Sequence, residues 1–165
     1  MRFRVLLLGS ALALHIGATQ AEETGKVPEF FPSDRWASSL NPGSATVASP
    51  TRDATIFIGC TEDDPSITLM VTLMRPLALK DQFRTVTMVF DGGQPVSQSW
   101  FSTNYSFGVT DDELAFIATM EGLMHHRSVE FVLSENGAEF ARQSFTLNGA
   151  PEAINSVVRA CHQSG

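Results

Sequence analysis

The chain reads as an α+β protein with a mainly antiparallel sheet and two helices, the C-terminal helix tied to the first core strand by a disulfide. Three observations predict this. Apolar residues alternate with period two in several short runs separated by turn signals. Two other segments carry apolar residues at helical spacing. A pair of cysteines, Cys60 and Cys161, falls on the inward face of one of each.

The elements follow in order from residue 51. "ATIFIGC" places Ile56, Ile58 and Cys60 on one face of a strand. The acidic turn "TEDDPS" leads into a second apolar run, "ITLMVTLM". "RTVTMVF" and "PVSQSWF" flank "DGGQ", where Asp91, Gly92 and Gly93 supply the positive-φ positions a tight hairpin needs. Val86, Met88 and Phe90 share a face of the first arm, Val96 and Trp100 a face of the second.

The period then changes. In "TDDELAFIATMEGLM", Thr110 is placed to cap a helix with Glu113 three residues on, and Asp111 and Asp112 suit its positive end. Leu114, Ile117 and Met124, joined by Phe116, Met120 and Leu123, are expected to form its buried face, with Gly122 weakening the last turn. "SVEFVLS", the turn "ENG" and "EFARQSFTL" make another antiparallel pair. "NGAPEAINSVVRAC" closes the domain as a helix with Pro151 in its first turn, where a missing N–H costs nothing.

Upstream of the domain, residues 22–50 mix Pro, Gly, Ser and isolated aromatics without period and read as an extended lead-in, pinned by Trp36, Phe30 and Phe31. Residues 1–21 have the layout of a secretory signal: Arg2 and Arg4, an apolar run from Val5 to Leu14, then Thr19 and Ala21 at cleavage offsets. His15 ends the run well short of the roughly 20 residues a membrane span requires. No stable membrane insertion is expected once the signal is removed. The organisation is thus a signal peptide over 1–21, a lead-in over 22–50 and one α+β domain over 51–165.

Cleavage removes Arg2 and Arg4 and no acid, which moves the formal charge from −7 to −9. Such acidity excludes a nucleic-acid binder, which needs a basic patch, and disfavours docking on an anionic membrane. Export places the chain in the periplasm, an oxidising compartment where two cysteines most simply pair. Ile154, Val157, Val158 and Cys161 lie on one helix face, so both sulfurs point inward. Two separate reduced thiols, or a metal or redox pair, are the alternatives at this point.

The strand "IFIGC", the hairpin "VTMVFDGGQPVSQSW", the segment "SVEFVLS" after an apolar helix, and "SFTLNGAPEAINSVVRAC" resemble, in that order, the VasI/TagO-like family. These are small periplasmic accessory proteins associated with type VI secretion, with uncharacterised exported relatives in Gram-negative bacteria. The resemblance spans roughly residues 54–161 and leaves out the first fifty. It implies an exported, disulfide-linked, non-catalytic domain that acts on a protein of the envelope or secretion apparatus.

Candidate chemistry is sparse. The sequence lacks a G-x-S-x-G elbow, an H-E-x-x-H zinc helix, a P-loop and an EF-hand loop. His125 and His126 are adjacent and on a strand would face opposite sides. Glu62, Asp63 and Asp64 could hold a hard cation or simply be solvated. Trp100 is either a ligand-stacking ring or a hairpin anchor, with anchor preferred; Ser99, Ser102 and Thr103 lack a base at a readable spacing. The expected site residues are therefore Cys60 and Cys161 alone, with no catalytic, cofactor-binding or metal-ligating residue assigned. The leading function is a non-catalytic periplasmic binding or accessory protein. The alternatives are a small envelope hydrolase built from scattered residues such as His125, Asp91 and Ser102, and a secreted inhibitor or immunity-type protein. If the signal is cleaved after Ala21, intact-mass measurement on periplasmic material will show a chain beginning at Glu22; a full-length species held in the membrane would refute it.

Overall fold

The computed structural model describes residues 31–40, 43–60, 66–77, 80–108 and 112–163. Their core is one nine-stranded antiparallel sheet and two helices, as the patterning predicts. The strands are β1 (Ala37–Leu40), β2 (Gly43–Ala48), β3 (Ala54–Gly59), β4 (Thr68–Leu73), β5 (Gln82–Phe90), β6 (Pro95–Ser102), β7 (Ser106–Gly108), β8 (Ser128–Glu135) and β9 (Ala138–Thr146). Helix α1 (Glu113–His125) lies between β7 and β8, and α2 (Ala150–Gln163) follows β9. The signal segment, Phe30, Thr110, Asp111 and the acidic turn with Glu62, Asp63 and Asp64 lie outside the described residues.

The sheet order is β1-β2-β3-β4-β7-β6-β5-β8-β9. After β4 the chain crosses to β5 and returns through β6 and β7 to lie beside β4. One face of the sheet carries the core: Val47, Ile56, Val71, Phe107, Trp100, Val86, Phe131 and Phe145 belong to a single cluster. A sheet with one continuous core must curl, and its ends meet where the Trp36 amide, just before β1, donates to the Asn148 carbonyl, just after β9, at 3.0 Å.

Three differences from the sequence-based expectation matter. The segment expected as a lead-in over 22–50 supplies β1 and β2, so the domain does not start at 51. Trp36 is buried as an anchor there. These strands escape pattern reading because "ASSL" and "GSATVA" carry few large β-formers, and β7 escapes because it has three residues. The helix cap is Asp112, whose carboxylate accepts from the Ala115 amide at 3.1 Å, in place of the expected Thr110. In the β5–β6 turn, Asp91 and Gly92 take positive φ, whereas Gly93 does not.

The face of α1 also differs. Met120 and Leu123 are buried as expected, but Leu114 and Ile117 point to solvent at 79% and 45% exposure. Thr119 and Gly122 take the inner positions. Gly122 is there for space: a Cβ would come within 2.4 Å of the Phe90 ring. What reads in sequence as a weak last turn is the contact that seats the helix on β5.

Helix α2 buries Ala150, Ala153, Ile154, Val157, Ala160 and Cys161 against β1, β2 and β3. Small residues bring it unusually close. A Cβ on Gly43 would lie 2.8 Å from the Ala160 Cβ and 3.2 Å from the Cys161 sulfur. At this crossing Cys60 and Cys161 form a disulfide, with a Cα separation of 5.9 Å. Both residues are buried. Closing a loop across 101 positions restricts the unfolded chain, by roughly 4–5 kcal/mol on the chain-entropy model, with smaller values common in practice. Cys60→Ser and Cys161→Ser should therefore lower the unfolding free energy by about the same few kcal/mol, and the double variant by no more than either. Denaturant titrations of the three variants check this; markedly additive losses would show that the sulfurs act independently.

Candidate functional site

The residues a hydrolase would need can be placed one at a time. Asp91 sits at the tip of the β5–β6 hairpin and gathers the α1–β8 connection around its carboxylate. It accepts from His126 Nδ1 at 3.0 Å, from the amides of Arg127 (3.0 Å) and Ser128 (2.9 Å), and from the Ser128 hydroxyl (3.2 Å). The His126 ring stacks on Phe90 with centroids 5.0 Å apart. Some desolvation of its carboxylate would raise the Asp91 pKa, but the hydrogen bonds from Arg127, His126 and Ser128 outweigh it and hold the carboxyl below its ordinary value. Four donors on one carboxylate amount to a structural clasp between a hairpin and a helix end.

Ser102 lies at the other end of the same hairpin, paired with Gln82. A full strand length, roughly 25 Å, separates it from Asp91. Its side chain is fully buried, donating to the Gln82 carbonyl at 3.0 Å and accepting from Arg84 Nη1 at 2.5 Å. His125, the last residue of α1, is exposed and takes no part in the Asp91 clasp. The structure thus pairs Asp91 with His126 and does not bring His125, Asp91 and Ser102 together. Among the described residues, no cluster of three or more His, Cys, Asp or Glu side chains is placed to hold a metal ion.

Arg84 is the buried charge that sequence reading passed over. Its Nη1 also donates to the Lys80 carbonyl at 2.8 Å, and its guanidinium lies over the Phe140 ring, 5.8 Å from the centroid. Nε is 3.5 Å from Glu135 Oε2, close enough for an ion pair but without hydrogen-bond geometry. Glu135 in turn accepts from Gln82 Nε2. An arginine at an inward strand position beside a Gln-x-Arg spacing gives no local sequence signal, because its partners lie on β6, β8 and β9.

Trp100 is the anchor, completely buried, with its indole packed against Phe107 and Phe131. Its Nε1 donates to Gln98 Oε1 at 2.8 Å. Gln98 also accepts from the Thr119 hydroxyl (3.2 Å) and donates to the Ala115 carbonyl (3.3 Å), so one amide joins β6 to α1. This seating turns the other side of α1 outward. Leu114 then rims a groove of about 630 Å³ shared with Phe83, Ser97 and Ser99. Phe83 and Phe101 pack edge to face on the solvent side of β5 and β6, with centroids 5.5 Å apart and exposures of 54% and 36%. Phe83, Phe101 and Leu114 make an exposed apolar surface beside this groove, and it is the candidate functional site.

No protein-family model matches the chain, and no curated protein does. Among solved structures it is similar to invasion associated protein B from Bartonella henselae, with a TM-score of 0.49 and 10% identity over 75% of this chain and 92% of that one.

The Asp91 clasp has a pH signature. A carboxyl whose folded pKa is depressed adds stability that is present above its unfolded pKa, near 3.8, and is lost as pH falls through the folded value. Asp91→Asn should lower stability at neutral pH while flattening the acid limb of the stability profile below about pH 4. Urea midpoints measured across that range check it; parallel acid limbs in both proteins would show that the clasp carries no proton linkage.

Proposed function

We propose that the mature chain is an exported, non-catalytic binding protein of the periplasm. In this reading it presents a surface to a protein of the envelope or secretion apparatus, type VI secretion being the apparatus to which its sequence resemblance points. The observation that carries the reading is the solvent-facing cluster of Phe83, Phe101 and Leu114 beside the α1–β6 groove. Contiguous exposed apolar surface with a polar rim is characteristic of protein-binding sites, and here Ser97, Ser99, Asp112 and Glu113 form that rim. Aromatic rings supply large contact area at low conformational cost, which is why they concentrate in interfaces.

The disulfide supports the compartment, since buried structural disulfides persist where the environment is oxidising. The separation of Asp91 from Ser102 supports presentation of a surface over hydrolysis at those residues.

A Phe83→Ser/Phe101→Ser double variant should keep its unfolding midpoint near that of the native protein, because the rings are substantially exposed. It should fail to complement a deletion strain, and a photo-crosslinker at position 114 should lose its envelope adduct in intact cells. Full complementation by a folded double variant would refute the reading.

A further inference from the structure

We propose that the Phe83–Leu114 surface takes a basic and apolar segment of its partner, and that recognition extends from it into a second groove along α1. The inference rests on the reading of that surface as a protein-binding site and names the chemistry of what binds there.

The second groove, of about 350 Å³, lies between the β5–β6 hairpin and the C-terminal half of α1. Met88, Phe90 and Val96 give it an apolar wall, Val96 being 47% exposed, and Glu121 and His125 border it from the helix. Gln98 lines both grooves, so the two adjoin at the amide that joins β6 to α1. Alone, each is the size of a pocket for a few side chains. Together they follow the helix from Leu114 to His125, about 17 Å at 1.5 Å per residue, which is the reach of about five extended residues.

Charge selects the occupant. The Asp, Glu, Lys and Arg side chains that line the two grooves are Asp112, Glu113 and Glu121, all acidic. Among the described residues no lysine or arginine lines either groove. Asp112 uses one carboxylate oxygen in the helix cap, whereas Glu113 and Glu121 make no hydrogen bond or ion pair with a described residue. The positive end of α1 offsets roughly half a charge, which leaves the first groove negative. On β8 and β9, by contrast, Glu130 and Glu139 share Arg142. Arg84, next to Phe83 in the chain, is buried and paired with Glu135. Of the two histidines, His126 is engaged with Asp91 and His125 is exposed. Carboxylates of one sign beside apolar surface complement a cationic segment and repel an acidic one. A lysine or arginine also suits the mixture, because its stem lies on apolar groups such as Leu114 while its head reaches Glu113. The acidity of the chain as a whole adds long-range attraction for the same class of partner.

The test pans a displayed library of random peptides on the oxidised mature protein and measures the enriched peptides by fluorescence anisotropy. The expected consensus is Lys or Arg beside Leu, Ile, Phe or Trp, with affinity falling as salt is raised. A Glu113→Gln/Glu121→Gln variant should bind about tenfold or more weakly. A peptide with Glu in place of its basic residues should gain affinity for a Glu113→Lys/Glu121→Lys variant, an outcome that structural damage alone would not produce. Peptides that lose binding to the Phe83→Ser/Phe101→Ser protein, yet bind the Gln variant as well as the native one, overturn this inference and leave the binding-surface reading standing. If no peptide is enriched, or the enriched peptides bind every variant equally, both are overturned. A dimer in sedimentation equilibrium that Phe83→Ser/Phe101→Ser dissolves overturns the inference too, since a second copy would then occupy the surface.

Discussion

The fold depends on how closely α2 lies on the first strands. Gly43 leaves no side chain between the sheet and the helix, Ala160 presents a methyl, and the Cys60–Cys161 bond closes the crossing. Dispersion and desolvation act at short range, so a helix this close buries Ile154 and Val157 fully against β2 and β3. The Cys60 amide meanwhile donates to the Gly43 carbonyl at 3.1 Å, holding the strand end in register under the sulfur. Sheet, helix and covalent bond are over-determined at the same point. The rest of the curled sheet can then be satisfied from one inner face.

Helix α1, which also contacts α2, is oriented by polar groups inside the core. Gln98 serves Trp100, Thr119 and Ala115 together, which sets the rotation of α1 about its own axis. Phe90 against Gly122 sets its depth, and the Asp91 clasp sets where it ends. Each contact is modest in net energy, but a buried donor left unmade would cost more than a made one contributes. The helix is consequently held in an orientation that leaves Leu114 and Ile117 in water. That exposure is a consequence of the core, and it is what creates the apolar surface available to a partner.

Arg84 holds together the strand ends beneath the exposed aromatic pair. Its strand neighbour Phe83 belongs to the exposed aromatic pair, while its own guanidinium lies over the ring of Phe140 on β9. A buried guanidinium needs acceptors and a counter-charge; it finds acceptors on Lys80 and Ser102 and an ion-pair partner in Glu135. The β5–β6 end is thereby rigid although much of its outer surface is open to solvent, and a preformed surface loses less entropy on binding.

By itself the sequence determined the α+β class, the hairpins around "DGGQ" and "ENG", the C-terminal helix and the inward direction of both cysteines. These rest on period and turn chemistry, which are local. Strands such as β3 and β8 were legible because one face is buried along their whole length and the residues alternate accordingly. Only the tertiary structure decided that residues 37–40 and 43–48 are strands, because their small side chains are explained by α2 lying over them, about a hundred residues away in the chain. It also decided which side of α1 is buried: apolar residues occur nearly all round that helix, so its spacing carries no direction, and contacts from Gln98 and Phe90 supply one. The candidate surface was illegible for the same reason, since it is assembled from β5, β6 and α1, whose neighbours are set by the sheet order and by the seating of the helix.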